Sequence, residues 1–193
     1  MSFFTPESIK NAVGGTWLDK PTDPNAIGPI QGASIDSRSI KPGQLFVAIR
    51  GDKFDGHEYV AAVIAGGCPL VMVDRDEVAL GPAGRAYVLK VASTRKALLR
   101  LGGAYRRSLP NTKVIAICGS NGKTTTVRLL DAVLSTKLRG SASQKSHNND
   151  IGVPLTILGA KASDQYLICE VGTNAPGEIA ALAAAEAAVA TGG

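Results

Sequence analysis

Residues 114–126, VIAICGSNGKTTT, constrain the fold more than any other part of the chain. Val114, Ile115, Ala116, Ile117 and Cys118 form a short, β-branched apolar run, the pattern of a buried strand. Gly119-Ser120-Asn121-Gly122 interrupts it, and Lys123 with three threonines follows. Val127, Leu130 and Leu134 then stand at i, i+3 and i+7, on one face of a helix. Strand, glycine loop and helix in that order form the context in which such a loop holds phosphate. An ordinary Gly-Asn turn before a surface lysine would account for the loop, but not for the elements on both sides of it.

The residue types fit that chemistry. Glycines let the backbone approach a polyphosphate closely, and amides at a helix N-terminus point at its oxygens. Lys123 would set a cation against the β- and γ-phosphates, and the Thr124 hydroxyl would reach a bound Mg²⁺. Counting back from Gly122, the first glycine of the general Walker A pattern falls on Ile117, so the loop is the shorter G-x-x-G-K-T. ATP or a related nucleotide is the expected ligand, held by Gly119, Ser120, Asn121, Gly122, Lys123, Thr124 and Thr125.

At 193 residues the chain has room for one domain or two small ones, and its 45% hydrophobic and 19% charged content is that of a globular protein. A net charge of +5 is mild, and with 5% aromatic residues there is no stacking platform for nucleic acid. Arg95, Lys96, Arg100, Arg106 and Arg107 gather around one helical segment, which reads as a solvated face; an acidic small substrate fits the charge equally well. Cys68, Cys118 and Cys169 lack metal-ligand spacing and sit in or beside apolar runs, so three buried free thiols in a reducing compartment are expected. MSFFTPESIK has no basic segment followed by an apolar one, and no stretch has the length of a membrane span. A cytoplasmic location is the expectation.

Thr5-Pro6 reads as an N-cap and first helical residue of a helix through about Val13, stopped by Gly14-Gly15. Residues 20–32 read as loop. Residues 33–38 form a strand ending in the polar triplet Asp36-Ser37-Arg38. Pro42-Gly43 suits the centre of a type II turn, leading into a strand over residues 45–49. Asp55 with Glu58 resembles a capping box before a helix whose apolar face is Tyr59, Val60, Val63 and Ile64. Strands follow over residues 70–73 and 86–89. Ser93 opens a helix carrying Leu98, Leu101 and Tyr105 on one side. Leu109-Pro110-Asn111 is the best domain boundary, which divides the chain into residues 1–108 and 112–193.

Three further stretches carry chemistry. Ser37 and Arg38, at a strand end, could grip a diphosphate, the arginine through paired N–H donors; alone, the pair reads more readily as a turn with a surface arginine. In SHNNDIGVPLT, Asn148 and Asn149 both donate and accept, which suits a ligand with amide and carboxylate groups, although alone Asn-Asn-Asp is more often helix capping. In YLICEVGTN, Glu170 ends an apolar strand downstream of the phosphate loop, where a nucleotide-bound Mg²⁺ finds its second protein ligand.

Taken together and in order, DSR…PGQLFVA…DGH, ICGSNGKTTT, NNDIGVPLTIL and EVGTNAPGEIAAL resemble the Mur ligases of peptidoglycan synthesis, over about residues 35–182. The last two segments resemble the branch that adds D-alanyl-D-alanine rather than branches that add another amino acid. The resemblance implies an α/β fold: an N-terminal domain binding UDP-N-acetylmuramoyl-tripeptide, followed by the first part of a P-loop ATP-binding domain. It implies an ATP-dependent amide ligase that phosphorylates the peptide carboxylate, the acyl phosphate then being attacked by the amine of D-alanyl-D-alanine. In that chemistry Lys123 and Glu170 are catalytic, and Thr124 and Glu170 hold Mg²⁺. Ser37, Arg38, Asp55 and His57 belong to the UDP-muramoyl site, and Asn148 and Asn149 to the substrate side of the second domain.

Departures from the family pattern are specific. Cys118 stands where the family usually has threonine, and no role carries onto His147. The chain stops at Gly193 after an alanine-rich stretch, where family members continue through the rest of the central domain and a third domain. The expectation is therefore a fragment inactive by itself, its P-loop sheet left with open edges, or a non-catalytic binder of nucleotide or UDP-sugar.

Overall fold

The computed structural model describes residues 3–144 and 148–172. Ser146 and His147, and everything from Thr173 through the alanine-rich stretch, lie outside the described residues. The chain divides into two compact units, residues 1–98 and 99–193.

The first unit opens with α1 (Pro6–Val13). Thr5 caps it by accepting from the Ser8 amide, Pro6 supplies the first turn, and Gly14 closes it at φ 73°. A five-stranded sheet follows, in the order β1-β5-β4-β3-β2. Its members are β1 (Thr16–Asp19), β2 (Ala33–Ser34), β3 (Leu45–Val47), β4 (Leu70–Val73) and β5 (Tyr87–Lys90). The pairs β2–β3, β3–β4 and β4–β5 are parallel, and β1 pairs antiparallel to β5. β1 lacks a continuous apolar run, so its alternating exposed and half-buried residues give no strand signal in the sequence.

Every residue of β3 and β4 is buried. Period-two alternation sends Phe46, Val71 and Val88 to one face, where they pack with Val60, Val63 and Ile64 of α2 (Val60–Ala65). Leu45, Val47, Leu70, Met72 and Leu89 take the opposite face and are fully buried. The turn before β3 has Gly43 at φ 87° and a Gln44 amide bonded to the Lys41 carbonyl, the type II geometry expected of Pro42-Gly43.

Two local expectations are corrected here. β2 is only two residues long, because the backbone turns at Asp36. Asp55 does not form a capping box with Glu58: its carboxylate accepts from the His57 amide and starts a 3₁₀ turn over Gly56–Tyr59 before α2.

α3 (Thr94–Arg107) carries the division between the units, which falls ahead of Leu109-Pro110-Asn111. Past the division, Tyr105 donates to the Ala160 carbonyl at 2.7 Å, and a Cβ on Gly102 would stand 2.8 Å from Pro154. Packing of this kind, invisible to a rule based on proline punctuation, places the end of α3 in the second unit.

The second unit has a parallel three-stranded sheet in the order β6-β8-β7: β6 (Lys113–Ile117), β8 (Tyr166–Glu170) and β7 (Gly140–Ala142). α4 (Lys123–Leu134) lies against it through Val127, Leu130 and Leu134, which meet Ile115, Ile117, Tyr166 and Ile168. Leu129 and Val133 of the same helix face solvent. α5 (Gly152–Leu158) packs against β8. β8 is fully buried, whereas β6 is half-exposed rather than buried, because it is a sheet edge among the described residues. Cys68 and Cys169 are buried as expected, but Cys118 is exposed, since it stands one residue past the end of β6. Among the described residues, no helix is long and apolar enough to cross a membrane.

Candidate functional site

The second unit has its site where the strand order turns back on itself. The chain leaves β6, skips a position to form β7, and returns through β8 between them, so the loops after β6 and β8 open side by side at the carboxyl ends of the strands. Open α/β sheets bind ligands in such a crevice. Register makes the placement specific: Ile117 pairs with Glu170, so the last residues of the two strands are neighbours.

The loop after β6 turns into α4 through Gly122, whose φ of 77° lies in the left-handed region that favours glycine. No side chain caps α4, and no acidic residue of the helix itself occupies its first turn, so its leading amides and dipole face the crevice. Lys123 folds back and donates from Nζ to the Gly119 carbonyl at 2.7 Å, closing the loop on itself. Thr124 Oγ1 donates to Glu170 Oε2 at 2.8 Å, and Asn148 Nδ2 donates to Glu170 Oε1 at 3.0 Å. Ser120, Asn121, Gly122, Lys123, Thr124, Thr125, Asn148 and Glu170 line one cavity of about 240 Å³. That is below the ~300–1,000 Å³ of pockets that enclose drug-sized ligands, and suits the phosphate end of a nucleotide better than a whole one.

Glu170 is 4% exposed, and among the described residues it has no ion-pair partner. A buried carboxylate held only by a hydroxyl and an amide, beside a phosphate loop, is a hard oxygen donor set. The residues present therefore fit a divalent cation that takes one or two protein oxygens and completes its shell with phosphate and water. Among the described residues, no group of three or more His, Cys, Asp or Glu is arranged to hold a metal ion.

Asn149 does not line the cavity. Its Oδ1 accepts from the Ile151 and Gly152 amides at 3.2 and 2.8 Å, a turn that leads into α5, whose own N-cap position is Ile151. Ser143 has no signal in the sequence, yet its Oγ accepts from the Glu170 amide at 2.8 Å and holds the end of β8 in place.

In the first unit, the remaining candidates sit at the carboxyl ends of the parallel strands. Ser37 is half-buried and Arg38 exposed, in the turn after β2. The guanidinium of Arg38 forks onto Asp36, Nε to Oδ1 and Nη2 to Oδ2, both at 2.9 Å. These bonds, with one from the Arg38 amide, hold the Asp36 carboxyl at about 2. An anion arriving at Arg38 would therefore compete with a carboxylate already in place.

Asp55 and His57 form part of a larger cluster. His57 is 3% exposed. Its Nδ1 stands 2.6 Å from Asp55 Oδ1, and its Nε2 lies 3.1 Å from Asp74 Oδ1 and 3.3 Å from the Asp74 amide. Asp74 Oδ2 accepts from both the amide and hydroxyl of Thr94, and Arg75 Nη1 donates to Asp55 Oδ2 at 3.0 Å. Burial pushes the Asp55 carboxyl up, but the bonds from His57 and the charges of His57 and Arg75 outweigh it and hold the group below its ordinary range. His57 thus ties the ends of β3 and β4 to the start of α3. Asp74, Arg75 and Thr94 were not anticipated, although Asp74 follows an apolar strand just as Glu170 ends one.

Comparison with known proteins gives a consistent picture. Residues 29–119 match the Mur ligase family catalytic domain, and residues 117–191 match the Mur ligase middle domain. Over 175 residues the chain is 38% identical to the UDP-N-acetylmuramoyl-tripeptide–D-alanyl-D-alanine ligase of Bacillus subtilis strain 168, covering 91% of this chain and 37% of that protein. A crystal structure of MurF from Acinetobacter baumannii matches with a TM-score of 0.78 at 35% identity, over 94% of this chain and 38% of the other. The MurF ligase of Thermotoga maritima, solved in complex with ADP, matches with a TM-score of 0.68 at 27% identity, over 80% and 35% of the two chains. The chain spans little more than a third of the length of these relatives.

Proposed function

The chain belongs to the Mur ligase family, and from that premise we propose that it supplies the UDP-muramoyl-peptide-binding unit and the phosphate-binding half of a D-alanyl-D-alanine-adding ligase. The observation that carries this reading is the 2.8 Å bond between Thr124 Oγ1 and Glu170 Oε2, which joins the phosphate loop to a buried carboxylate across the β6–β8 pair. The ligand of the second unit is ATP with Mg²⁺. Lys123 would exchange its bond to the Gly119 carbonyl for one to a phosphate oxygen, and the free amides leading α4 would complete the cradle. Thr124 and Glu170 would hold the cation, which when bound neutralises charge developing on the transferred phosphoryl group.

In the ligation proposed for the whole protein, ATP transfers its γ-phosphoryl group to the terminal carboxylate of UDP-N-acetylmuramoyl-tripeptide, releasing ADP. The amine of D-alanyl-D-alanine attacks the acyl phosphate, and the tetrahedral adduct loses the amine proton to solvent and expels phosphate to leave the amide. Lys123 contributes by electrostatic stabilisation rather than proton transfer. In the first unit, Ser37 and Arg38 are the proposed contacts for the UDP-sugar. Asp55 and His57 would shape the strand ends rather than touch the sugar directly, since His57 is buried and held between Asp55 and Asp74.

Calorimetric titration of the chain with ADP, with and without Mg²⁺, tests the second unit. Mg²⁺-strengthened binding that is lost in Lys123→Ala is expected; a folded chain that ignores ADP would refute the reading. Titration with UDP-N-acetylmuramoyl-tripeptide against UDP-N-acetylglucosamine tests the first unit. Selective binding of the muramoyl peptide, weakened in Arg38→Ala, is the expected result, and equal affinity for both would remove the substrate assignment.

A further inference from the structure

Asn148 is held from two sides. Its side-chain Nδ2 donates to Glu170 Oε1 at 3.0 Å, and its carbonyl accepts from the Gly172 amide at 2.6 Å. A Cβ at position 172 would stand 3.0 Å from the Asn148 carbonyl oxygen and 3.2 Å from its Cγ, so a side chain there would push Asn148 aside by a few tenths of an ångström. The Glu170 carboxylate is consequently gripped at both oxygens, by Thr124 on Oε2 and Asn148 on Oε1. The two donors are not equivalent. A threonine hydroxyl rotates and can turn its lone pairs toward a cation, releasing Oε2, whereas an amide NH₂ only donates. Asn148 also lies outside the phosphate loop, anchored through its backbone to the segment that follows β8.

We propose that Asn148 is a positioning residue for the metal-binding carboxylate: it pins Oε1 of Glu170 so that Oε2 alone is presented to a divalent cation on the nucleotide. This rests on the nucleotide reading above and adds to it a role for Asn148 through Glu170, distinct from contact with the peptide substrate. Gly172 belongs to the same device, because its lack of a side chain sets where Asn148 stands.

The test is ADP affinity of the full chain measured across a Mg²⁺ series, for the parent, Asn148→Ala and Gly172→Ala, with thermal melting of each sample free of nucleotide. In both variants the loss of ADP affinity with Mg²⁺ should exceed any loss without it. Both should lose roughly 10-fold or more of the Mg²⁺-dependent gain, the usual cost of removing a group that orients a metal ligand. Should Asn148→Ala fail to melt cooperatively, Gly172→Ala carries the test, since it displaces the amide without deleting it. An unchanged Mg²⁺-dependent gain in a folded variant overturns the proposal. So does an equal loss with and without Mg²⁺, which would make Asn148 a direct phosphate contact. A parent that binds ADP without any Mg²⁺ dependence overturns this inference alone; a parent that binds no ADP overturns the nucleotide reading and this inference with it.

Discussion

Replacing Glu170 with glutamine should move stability and nucleotide affinity in opposite directions. The residue is 4% exposed and has no cationic partner among the described residues. Burying such an ion costs several kcal/mol, and two hydrogen bonds to a charged acceptor return about 1.5–3 kcal/mol each. Glutamine has nearly the same shape. Its oxygen can still accept from Asn148, and its NH₂ can donate to Thr124 Oγ1. The desolvation cost disappears while each bond falls to the neutral range of about 0.5–1.5 kcal/mol. The balance is a unit about 0–2 kcal/mol more stable, and at about 4–8 °C per kcal/mol for a domain of this size the melting midpoint should hold or rise. The Mg²⁺-dependent part of ADP affinity should meanwhile fall by at least ~100-fold, the upper end of what an orienting group alone is worth. Far-UV circular dichroism follows both units on heating. The fluorescence of Trp17, the single tryptophan, follows the first, so the difference isolates the second. A variant that melts more than about 1 kcal/mol lower yet retains Mg²⁺-dependent binding would refute the argument and make Glu170 a structural charge.

Other expectations follow from the same geometry. His57→Ala removes a buried ring that bonds both Asp55 and Asp74, so the first unit should lose about 1–3 kcal/mol for each partner left unsatisfied; an unchanged Trp17 fluorescence midpoint would refute this. Burial and the neighbouring Asp131 carboxylate push the Tyr166 phenol up to about 12. Its stabilising contribution is thus complete below the ordinary value of 10 and is lost as pH rises from there through about 12. Tyr166→Phe should flatten that alkaline decline, and an identical pH–stability curve in the variant would contradict it. Cys68, pushed up to about 11 by burial, and Cys169, fully buried, should resist a thiol reagent in the folded chain, while the exposed Cys118 reacts quickly. Comparable rates at two or more cysteines would overturn the burial assignment.

The parts of the fold legible in the sequence are those where local pattern and tertiary environment agree. The phosphate loop combines an apolar run, glycines and a helical face within residues 114–134, and α1 carries its own cap, proline and terminating glycine; both form as their residues imply. β1 and β7 were missed, because neither has the apolar run that marks a strand and each is held by pairing with a distant partner. Cys118 was misplaced for a related reason: an apolar run shows that a strand is near, but not where it leaves the sheet. At the site, Glu170 could be picked out as a carboxylate ending a buried strand. Ser143 could not, and Asn148 stands out as a candidate without its role toward Glu170, since both reach that residue only through the turn-back of β8 between β6 and β7. Likewise the clamp of Asp74 on His57 depends on β3 and β4 being neighbours, which no spacing between residues 57 and 74 encodes.

The in-register pairing of Ile117 with Glu170 sets what this lineage can change without losing its chemistry. Inserting or deleting one residue within β8 would turn the carboxylate to the other face of the sheet, because side chains alternate along a strand. A change of two residues would restore the face but carry the group about 6.6 Å along the strand, out of reach of the Thr124 hydroxyl. Length is therefore free to drift in the connections between strands, while the strands that flank the crevice are held to a fixed count. Among homologous chains, insertions should collect in the turns joining β7, α5 and β8, and the interval from Tyr166 to Glu170 should keep its length even where its sequence diverges.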